Sequence, residues 1–191
     1  MRHLIATALV AGLALSAGAS PNTAASAVAA EPAAWTLRTF DVYDPADRRK
    51  PVEERRVRYS GVMVHTLDTS RPGALFTCSA EKGLAVMFSL DGVDFADEAY
   101  FASSQQVRQM SGRLVVDGER PRETTRFLYR PRLKVAQAAR DEVAFTAVDA
   151  VYKRQAAEVE VGGLRPVAVS LPEPDAAFRD FIRDCPRFIA E

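Results

Sequence analysis

The chain has 191 residues, of which 48% are hydrophobic and 26% are charged, a composition typical of a single globular domain rather than of a disordered or fibrous protein. Its 25 basic and 25 acidic side chains cancel, so net charge gives no reason to expect binding to nucleic acid or to a membrane surface. Binding to an anionic partner would therefore depend on local clusters of charge.

The first 29 residues have the pattern of a secretory signal peptide. A short basic start is followed by twelve residues of apolar character, 4–15, and then by small residues with Ala-x-Ala spacing. Because a membrane-spanning helix needs about 20 apolar residues, we expect cleavage between residues 19 and 29 and no transmembrane segment in the mature chain. Residues 30–34 are predicted to be a flexible lead. The expected location is the periplasm.

After Trp35 the dominant hydrophobic period is two, which indicates β-strands. The first three predicted strands cover residues 57–67, 74–80 and 84–90. The second and third of these should pair across a short turn at residues 81–83. The dipeptide Asp91-Gly92 then favours a hairpin turn, and a further hairpin is predicted around residues 117–122.

Two later segments change to the period of a helix. Apolar residues at i, i+4 and i+7 favour a short helix within 140–154, although the valines leave a strand as the alternative. Asp175 is a predicted N-cap of a C-terminal helix over 175–185, which Pro186 ends. One stripe of that helix carries Phe178, Phe181, Ile182 and Cys185.

Between these helices, residues 157–161 and 167–171 return to strand alternation. Seven to nine strands with a short internal helix and a C-terminal helix predict a mainly β fold. We expect a single-domain antiparallel β-sandwich over residues 35–191.

The two cysteines are interpreted as a disulfide. An exported chain with two cysteines allows one intramolecular pairing, Cys78 with Cys185, and both are predicted to point into the core. A catalytic cysteine needs a nearby base, and a zinc site needs about four ligands, which this sequence does not supply at ligand spacing. No metal and no cofactor are expected.

Other candidate chemistry is sparse. His65 alternates with apolar residues along a predicted strand and is interpreted as a core-edge or surface histidine. The acidic run after residue 90 is interpreted as a solvated hairpin end rather than as a calcium loop, because its spacing lacks the calcium-loop pattern. That run contains Asp91, Asp94, Asp97 and Glu98.

Two stretches, residues 48–58 and 113–134, are locally basic, and each has a net charge of +4. The first has six basic and two acidic residues, and the second has seven basic and three acidic residues. If they lay side by side they would form a patch for an anionic headgroup, polysaccharide or acidic protein; the alternative is solvated edges and loops. The candidate residues are Arg48, Arg49, Lys50, Arg55, Arg56, Arg58, Arg126, Arg130 and Arg132.

The layout resembles a known group of proteins. A signal peptide, the strand run LFTCSAEKGLAVMF, the segment DEVAFTAVDAV, the strand PVAVSL and the closing AFRDFIRDC are similar to small periplasmic β-sandwich proteins of Gram-negative bacteria, of the type VI secretion-associated or invasion-associated kind. The similarity covers about Cys78 to Cys185. It implies a non-enzymatic envelope protein and transfers no catalytic residue.

The sequence therefore predicts an exported protein with a non-catalytic binding or structural role. Its expected partner is another envelope protein or an anionic envelope surface, and not nucleic acid. Two alternatives remain: a small envelope hydrolase that uses His65 or the acidic run, and a β-barrel that binds a lipid or another small ligand.

The export signal and the disulfide predict the mass of the exported protein. Its intact mass should correspond to cleavage between residues 19 and 29, and alkylation without reductant should add nothing because both thiols are oxidised. After reduction in denaturant, alkylation should modify two cysteines per chain. Two modified cysteines in unreduced protein would contradict the pairing.

Overall fold

The computed structural model describes residues 34–66, 71–91 and 107–185, so the predicted cleavage region and Pro186 lie outside the described residues. Two short 3-10 turns, Pro45–Asp47 and Val52–Glu54, precede the second strand. The strands are β1 (Trp35–Tyr43), β2 (Val57–Thr66), β3 (Ala74–Ser79), β4 (Gly83–Ser89), β5 (Arg108–Val116), β6 (Thr125–Arg130), β7 (Val135–Ala138), β8 (Ala157–Val161) and β9 (Val167–Val169). The helices are α1 (Asp141–Lys153) and α2 (Ala176–Asp184).

The strands form one sheet in the order β1-β2-β3-β4-β7-β6-β5-β8-β9, and every neighbouring pair is antiparallel. The predicted mainly β, antiparallel fold with one internal and one C-terminal helix is confirmed. Because the strands belong to a single hydrogen-bonded sheet, the packing of two layers as a sandwich stays a prediction. Strands β1 and β9 form the two edges of the sheet.

Local turn signals identify some strand pairs but not all of them. The predicted hairpins β3–β4 and β5–β6 are confirmed. The hairpin expected after Asp91 is wrong, because β4 bonds to β3 and β7 and the next strand, β5, is not its neighbour. The amide of Leu90 donates to the carbonyl of Lys134 at 2.8 Å, which extends the β4–β7 pairing beyond β4. A long-range partner therefore determines this pairing; Gly92 itself lies outside the described residues.

Residues 141–153 form a helix, α1, which decides between the two alternatives that the sequence left open. Its buried face contains small residues, so the helix backbone can approach the sheet closely. Arg154 ends the helix in the left-handed conformation, and its amide donates to carbonyls of the last turn. The buried residues of α1 are Ala144, Ala147, Ala150 and Val151.

The main core lies on one face of the sheet and includes residues from both of its halves and from both helices. Phe76 of β3, Phe127 of β6 and Val159 of β8 belong to the same buried cluster. The chain after β9 also approaches the start of β3, where the amide of Ser170 donates to the carbonyl of Pro72 at 2.8 Å. Residues that are distant in sheet order therefore bury a common core.

A second apolar cluster contains the strand residues that alternate with the main core. Leu75 lies between Ala74 and Phe76 of the main core, and all three are fully buried. Because successive side chains of a strand point to opposite faces, β3 is covered on both faces. The buried members of the second cluster are Met63, Leu75, Met87 and Val135.

Aromatic contacts dock helix α2 on β1 and β3. Phe178 and Phe181 are fully buried, and the ring centroid of Phe178 lies 4.8 Å from that of Trp35 and 5.6 Å from that of Phe76. The indole nitrogen of Trp35 donates to the carbonyl of Glu173 at 3.1 Å. Truncation of one fully buried Phe costs about 3 to 5 kcal/mol, so these contacts make a large contribution to the stability of the fold.

The disulfide joins the same two elements. Cys78 lies two residues after Phe76 on the same face of β3, and its Cα lies 5.4 Å from that of Cys185 at the end of α2. The predicted pairing is confirmed. A sequence separation of 107 residues means that the bond restricts most of the domain in the unfolded state, which stabilises the fold by about 4 to 5 kcal/mol in the loop-entropy account.

Asp175 connects the first strand to the last helix. Its Oδ1 accepts a hydrogen bond from the amide of Phe178 at 3.0 Å, which is the predicted N-cap of α2. Its Oδ2 accepts from the amides of Ala34 at 2.9 Å and Trp35 at 3.0 Å. One carboxylate thus satisfies three backbone donors, two at the start of β1 and one in α2.

We predict that Asp175→Ala lowers the free energy of unfolding by about 2 to 4 kcal/mol, because it removes the cap and leaves two further amides without their charged acceptor. Urea denaturation of the disulfide-bonded protein measures the change. Asp180→Ala is the matched control, because among the described residues this position of the same helix forms an ion pair with exposed Arg183 alone, and its loss should cost at most about 1 kcal/mol. Equal effects of the two substitutions would contradict the role assigned to Asp175.

Candidate functional site

The structure assigns a structural role to both cysteines and places His65 in a buried position. Among the described residues there is no free cysteine. His65 is 4% exposed, and its Nδ1 lies 3.1 Å from the carbonyl oxygen of Thr66. It is therefore more buried than the core-edge or surface position expected for it.

Asp91 forms an ion pair with Lys134, whereas the other three acidic residues of the predicted hairpin end lie outside the described residues.

The first basic stretch forms the connection between β1 and β2 and contains its own acidic partners. Arg56 forms ion pairs with Asp44 and Asp47, both at 3.0 Å, and Lys50 pairs with Asp47 at 2.8 Å. Asp47 is 3% exposed. Much of the charge in this stretch therefore holds the connection together instead of facing a partner.

Asp47 is the acceptor on which this connection depends. The Lys50 ammonium, the Arg56 amide and the Arg56 guanidinium all donate to its carboxylate, and together they hold the pKa of Asp47 well below its usual range. The Asp47 carboxylate therefore stays ionised at pH values at which a free aspartate already takes up a proton. The remaining residues of the stretch are Arg48 and Arg49, which are exposed, Arg55, whose Nε donates to the carbonyl of Lys50, and Arg58, which pairs with Glu81.

Arg130 and the turn after it, from the second basic stretch, lie at the opposite end of the strands from the first stretch. The first precedes Val57 at the start of β2, while Arg130 pairs in register with Val135, which pairs with Ser89 at the other end of β4. β2 has 10 residues and thus spans about 30 Å between its ends at ~3.3 Å per residue. Arg130 and Arg132 therefore lie away from the first stretch, whereas Arg126, at the start of β6, lies towards the same end of the strands as that stretch. Arg132 is exposed, and Arg130 donates to the side chain of Gln137 at 3.2 Å.

Arg126, from the second stretch, lines a surface cleft of about 600 Å³ that we call the arginine cleft. The volume lies within the range of small-ligand sites. Met110 and Ala139 contribute apolar groups to its wall. Its polar lining residues are Gln109, Ser111, Thr124, Thr125, Arg126 and Arg140.

Strand pairing positions these side chains. Ser111 of β5 is directly opposite Arg126 of β6, so the two side chains lie on the same face of the sheet. The amide of Ala139 donates to the carbonyl of Arg126 at 2.9 Å, which keeps the chain alongside β6 after β7 ends. Arg140 follows immediately, as the residue before α1. Strands β5 and β6 and the segment between β7 and α1 thus converge on the cleft.

The arginine cleft is cationic in a chain with no net charge. Two guanidinium groups line it, and none of its described lining residues has a carboxylate. Arg140 contacts Glu142 at 3.7 Å, but both side chains are largely exposed and such a pair contributes little. Arg126 forms no ion pair within the described residues. The three hydroxyl groups and the amide add neutral hydrogen-bond donors.

A smaller cavity of about 200 Å³ adjoins the cleft and shares the lining residues Thr124, Thr125 and Arg140 with it. Leu114 and Val143 contribute apolar wall to this second cavity. The two spaces therefore meet at the start of β6.

Sequence reasoning identified Arg126 but missed the other polar residues of the cleft. The alternation of Gln109 with Ser111 and of Thr124 with Arg126 in a predicted hairpin is the signal that indicates one polar face. The local pattern does not indicate that β7 pairs with β6, because that pairing depends on the whole sheet. It is this pairing that brings Arg140 close to the polar residues of β5 and β6.

Within the described ranges, no three side chains of the metal-ligating types are grouped closely enough to hold a metal ion. No helix in the described part of the chain is both long enough and apolar enough to cross a membrane. Comparisons with protein-family models, with curated proteins and with solved structures find no match to this chain.

The pKa of Asp47 predicts how the stability of the β1–β2 connection depends on pH. Because the folded-state pKa lies below the unfolded value of about 3.9, the ionised carboxylate stabilises the fold above that value, and the contribution is lost as pH falls. Asp47→Asn should therefore lower the urea midpoint most above about pH 5 and progressively less towards pH 2. Glu53→Gln, in the same connection and without an ion pair among the described residues, is the control and should show little effect. A difference between Asp47→Asn and the unsubstituted protein that does not vary with pH would contradict the assignment.

Proposed function

We propose that this chain is an exported, non-catalytic binding protein whose arginine cleft receives an acidic segment of another envelope protein. The observation that carries the proposal is the lining of the cleft, in which two arginines and three hydroxyl groups surround a space with no carboxylate among the described lining residues.

Arginine is suited to this task because its planar guanidinium presents paired donors that match the two oxygens of a carboxylate. Arg126 and Arg140 come from different elements, so an acidic group between them would contact both β6 and the segment before α1. Pairs of this kind also set specificity and association rate, because a partner without the complementary charge is disfavoured.

The shape of the cleft favours a protein segment over a flat membrane surface. An anionic bilayer attracts clusters of basic residues spread over an exposed face. Here two arginines line a concavity of about 600 Å³, which accommodates a protruding acidic side chain better than a plane of headgroups.

Export is supported by two independent features. Residues 1–29 have the basic, apolar and small-residue order of a signal peptide. The buried Cys78–Cys185 bond is of a kind that persists in oxidising compartments. The periplasm as location, and membership of the periplasmic group that the sequence resembles, are part of the proposal.

Site-specific photo-crosslinking in intact cells tests this function. A photoreactive residue in place of Gln109, at the cleft, should give a protein adduct, while the same residue in place of exposed Val52, at the β1–β2 connection, should not. The adduct should disappear when Arg126→Glu and Arg140→Glu are combined, because the reversed charges repel an acidic partner.

The matched control reverses the exposed pair Arg48 and Arg49, which changes the net charge equally in the connection between β1 and β2. The adduct at Gln109 should survive this control. Absence of any adduct, or an adduct that survives reversal at the cleft, would contradict the proposal. Flotation of the purified protein with phosphatidylglycerol vesicles, but not with phosphatidylcholine vesicles, would indicate a membrane partner in its place.

A further inference from the structure

The backbone of β6 has an open edge where it borders the arginine cleft. Ser111 of β5 is opposite Arg126, and the carbonyl oxygen of Ser111 accepts from the amide of Gly162 at 2.7 Å, so it is directed to the β8 side. Directly opposite residues of an antiparallel pair either exchange both backbone hydrogen bonds or make neither. The backbone N–H and C=O of Arg126 are therefore directed away from β5, towards the side of β7.

The fold uses only one of these two groups. The amide of Ala139 donates to the carbonyl of Arg126 at 2.9 Å, but the β6–β7 register ends at Phe127 and Ala138, and the amide of Arg126 does not donate to Ala139 in return. Strand alternation assigns the same side to the N–H and C=O of Thr124, two residues earlier, and neither makes a backbone hydrogen bond to the described residues. Within the described chain, three adjacent main-chain groups thus remain open.

The chain turns away from this edge after β7. Helix α1 packs into the main core, which also contains Phe127. Arg126 alternates with Phe127 along β6, so its side chain lies on the opposite face of the sheet, as does that of Ser111. The segment at Arg140 thus leaves the line of β7 towards the core face, and the arginine cleft lies beside the edge that it leaves open.

An open strand edge is suited to one kind of ligand, an extended polypeptide, whose own N–H and C=O groups pair with those of the edge. A helix satisfies its backbone groups internally and would leave this edge unused. The charge of the cleft narrows the choice further. Arg126 and Arg140 line it, and none of its described lining residues has a carboxylate, so the complementary extended segment is acidic.

We propose that the acidic segment binds in an extended conformation and adds a short strand beside the start of β6. Its main chain accepts from the amides of Arg126 and Thr124 and donates to the carbonyl of Thr124, while its carboxylates pair with the guanidinium groups that line the cleft. This inference rests on the proposed function, since it gives the conformation in which the cleft receives its acidic partner. It adds that an acidic helix is not recognised.

The test uses the full disulfide-bonded mature chain and a synthetic hexapeptide of alternating threonine and glutamate with blocked ends. NMR titration measures binding, and hydrogen exchange reports on single amides. The amides of Thr124 and Arg126 should exchange at least about tenfold more slowly at saturation with the hexapeptide than in the free protein, because they become hydrogen-bonded. Leu128, which already pairs with Gln137 of β7, is the internal reference and should exchange slowly in both states.

Two N-methylated versions of the hexapeptide test the strand geometry. Successive residues of an extended chain direct their N–H groups to opposite sides, so only alternate amides of the peptide face β6. One version is methylated at every threonine amide and the other at every glutamate amide. Binding should be lost in one version and nearly unchanged in the other, although both carry the same charge.

A substitution tests the protein side of the same contact. Thr124→Pro should bind the hexapeptide about tenfold more weakly than Thr124→Val, because both lack the hydroxyl and only valine keeps the N–H. Urea denaturation of both variants shows whether the difference arises from a loss of folding. Amide exchange and the methylated peptides need no substitution, so they decide the question even if the proline variant does not fold.

The inference is overturned if the hexapeptide does not bind, if bound hexapeptide leaves both amides unprotected, or if the two methylated versions behave alike. Unprotected amides combined with charge-dependent binding would leave the proposed acidic partner standing. Binding that persists when Arg126→Glu and Arg140→Glu are combined would contradict the proposed function and this inference together. Protection that increases with the concentration of the protein alone would indicate a second copy of this chain at the edge, and would also overturn the inference.

Discussion

The docking of the last helix on the first and third strands is the constraint on which the rest of the structure depends. Phe178 packs against Trp35 and Phe76, and two residues beyond Phe76 the disulfide fixes the end of the same helix. These contacts join the first strand, β1, and the third strand, β3, to the C-terminal helix α2. Asp175 reinforces the junction with hydrogen bonds to both segments. The aromatic contacts, the disulfide and the hydrogen bonds of Asp175 together thus hold α2 on β1 and β3.

The docking of α2 affects the candidate site even though the arginine cleft lies elsewhere in the sheet. The cleft depends on β5, β6 and the chain that leaves β7, and these strands share the main core with Phe76 and α2. Strands hold the side chains of Ser111 and Arg126 in place better than a loop would, which matters for a site that recognises a group by hydrogen-bond geometry. The basic residues near β1 serve a different purpose, since Asp47 and Arg56 stabilise their own connection.

Several features could be predicted because their signals are local. The period of Phe178, Phe181 and Cys185 identifies a helix with a buried stripe, and the alternation around Phe76 fixes the direction in which Cys78 points. The β3–β4 hairpin follows from a short turn between two apolar runs. The hairpin expected at Asp91 is wrong because its turn signal is local, whereas the strand that pairs with β4 is β7, more than forty residues further along the chain.

The sequence by itself determined the mainly β class, the C-terminal helix with its cap at Asp175, and the pairing of its two cysteines, because each depends on residue spacing or on the number of cysteines. Only the tertiary structure decided the order of the strands, the helical state of residues 141–153 and the grouping of Arg126, Arg140 and Thr125 around one cleft. These depend on contacts between segments that are far apart in the chain. Such contacts are selected by the joint burial of apolar surface and the pairing of backbone groups, which a local sequence pattern does not encode.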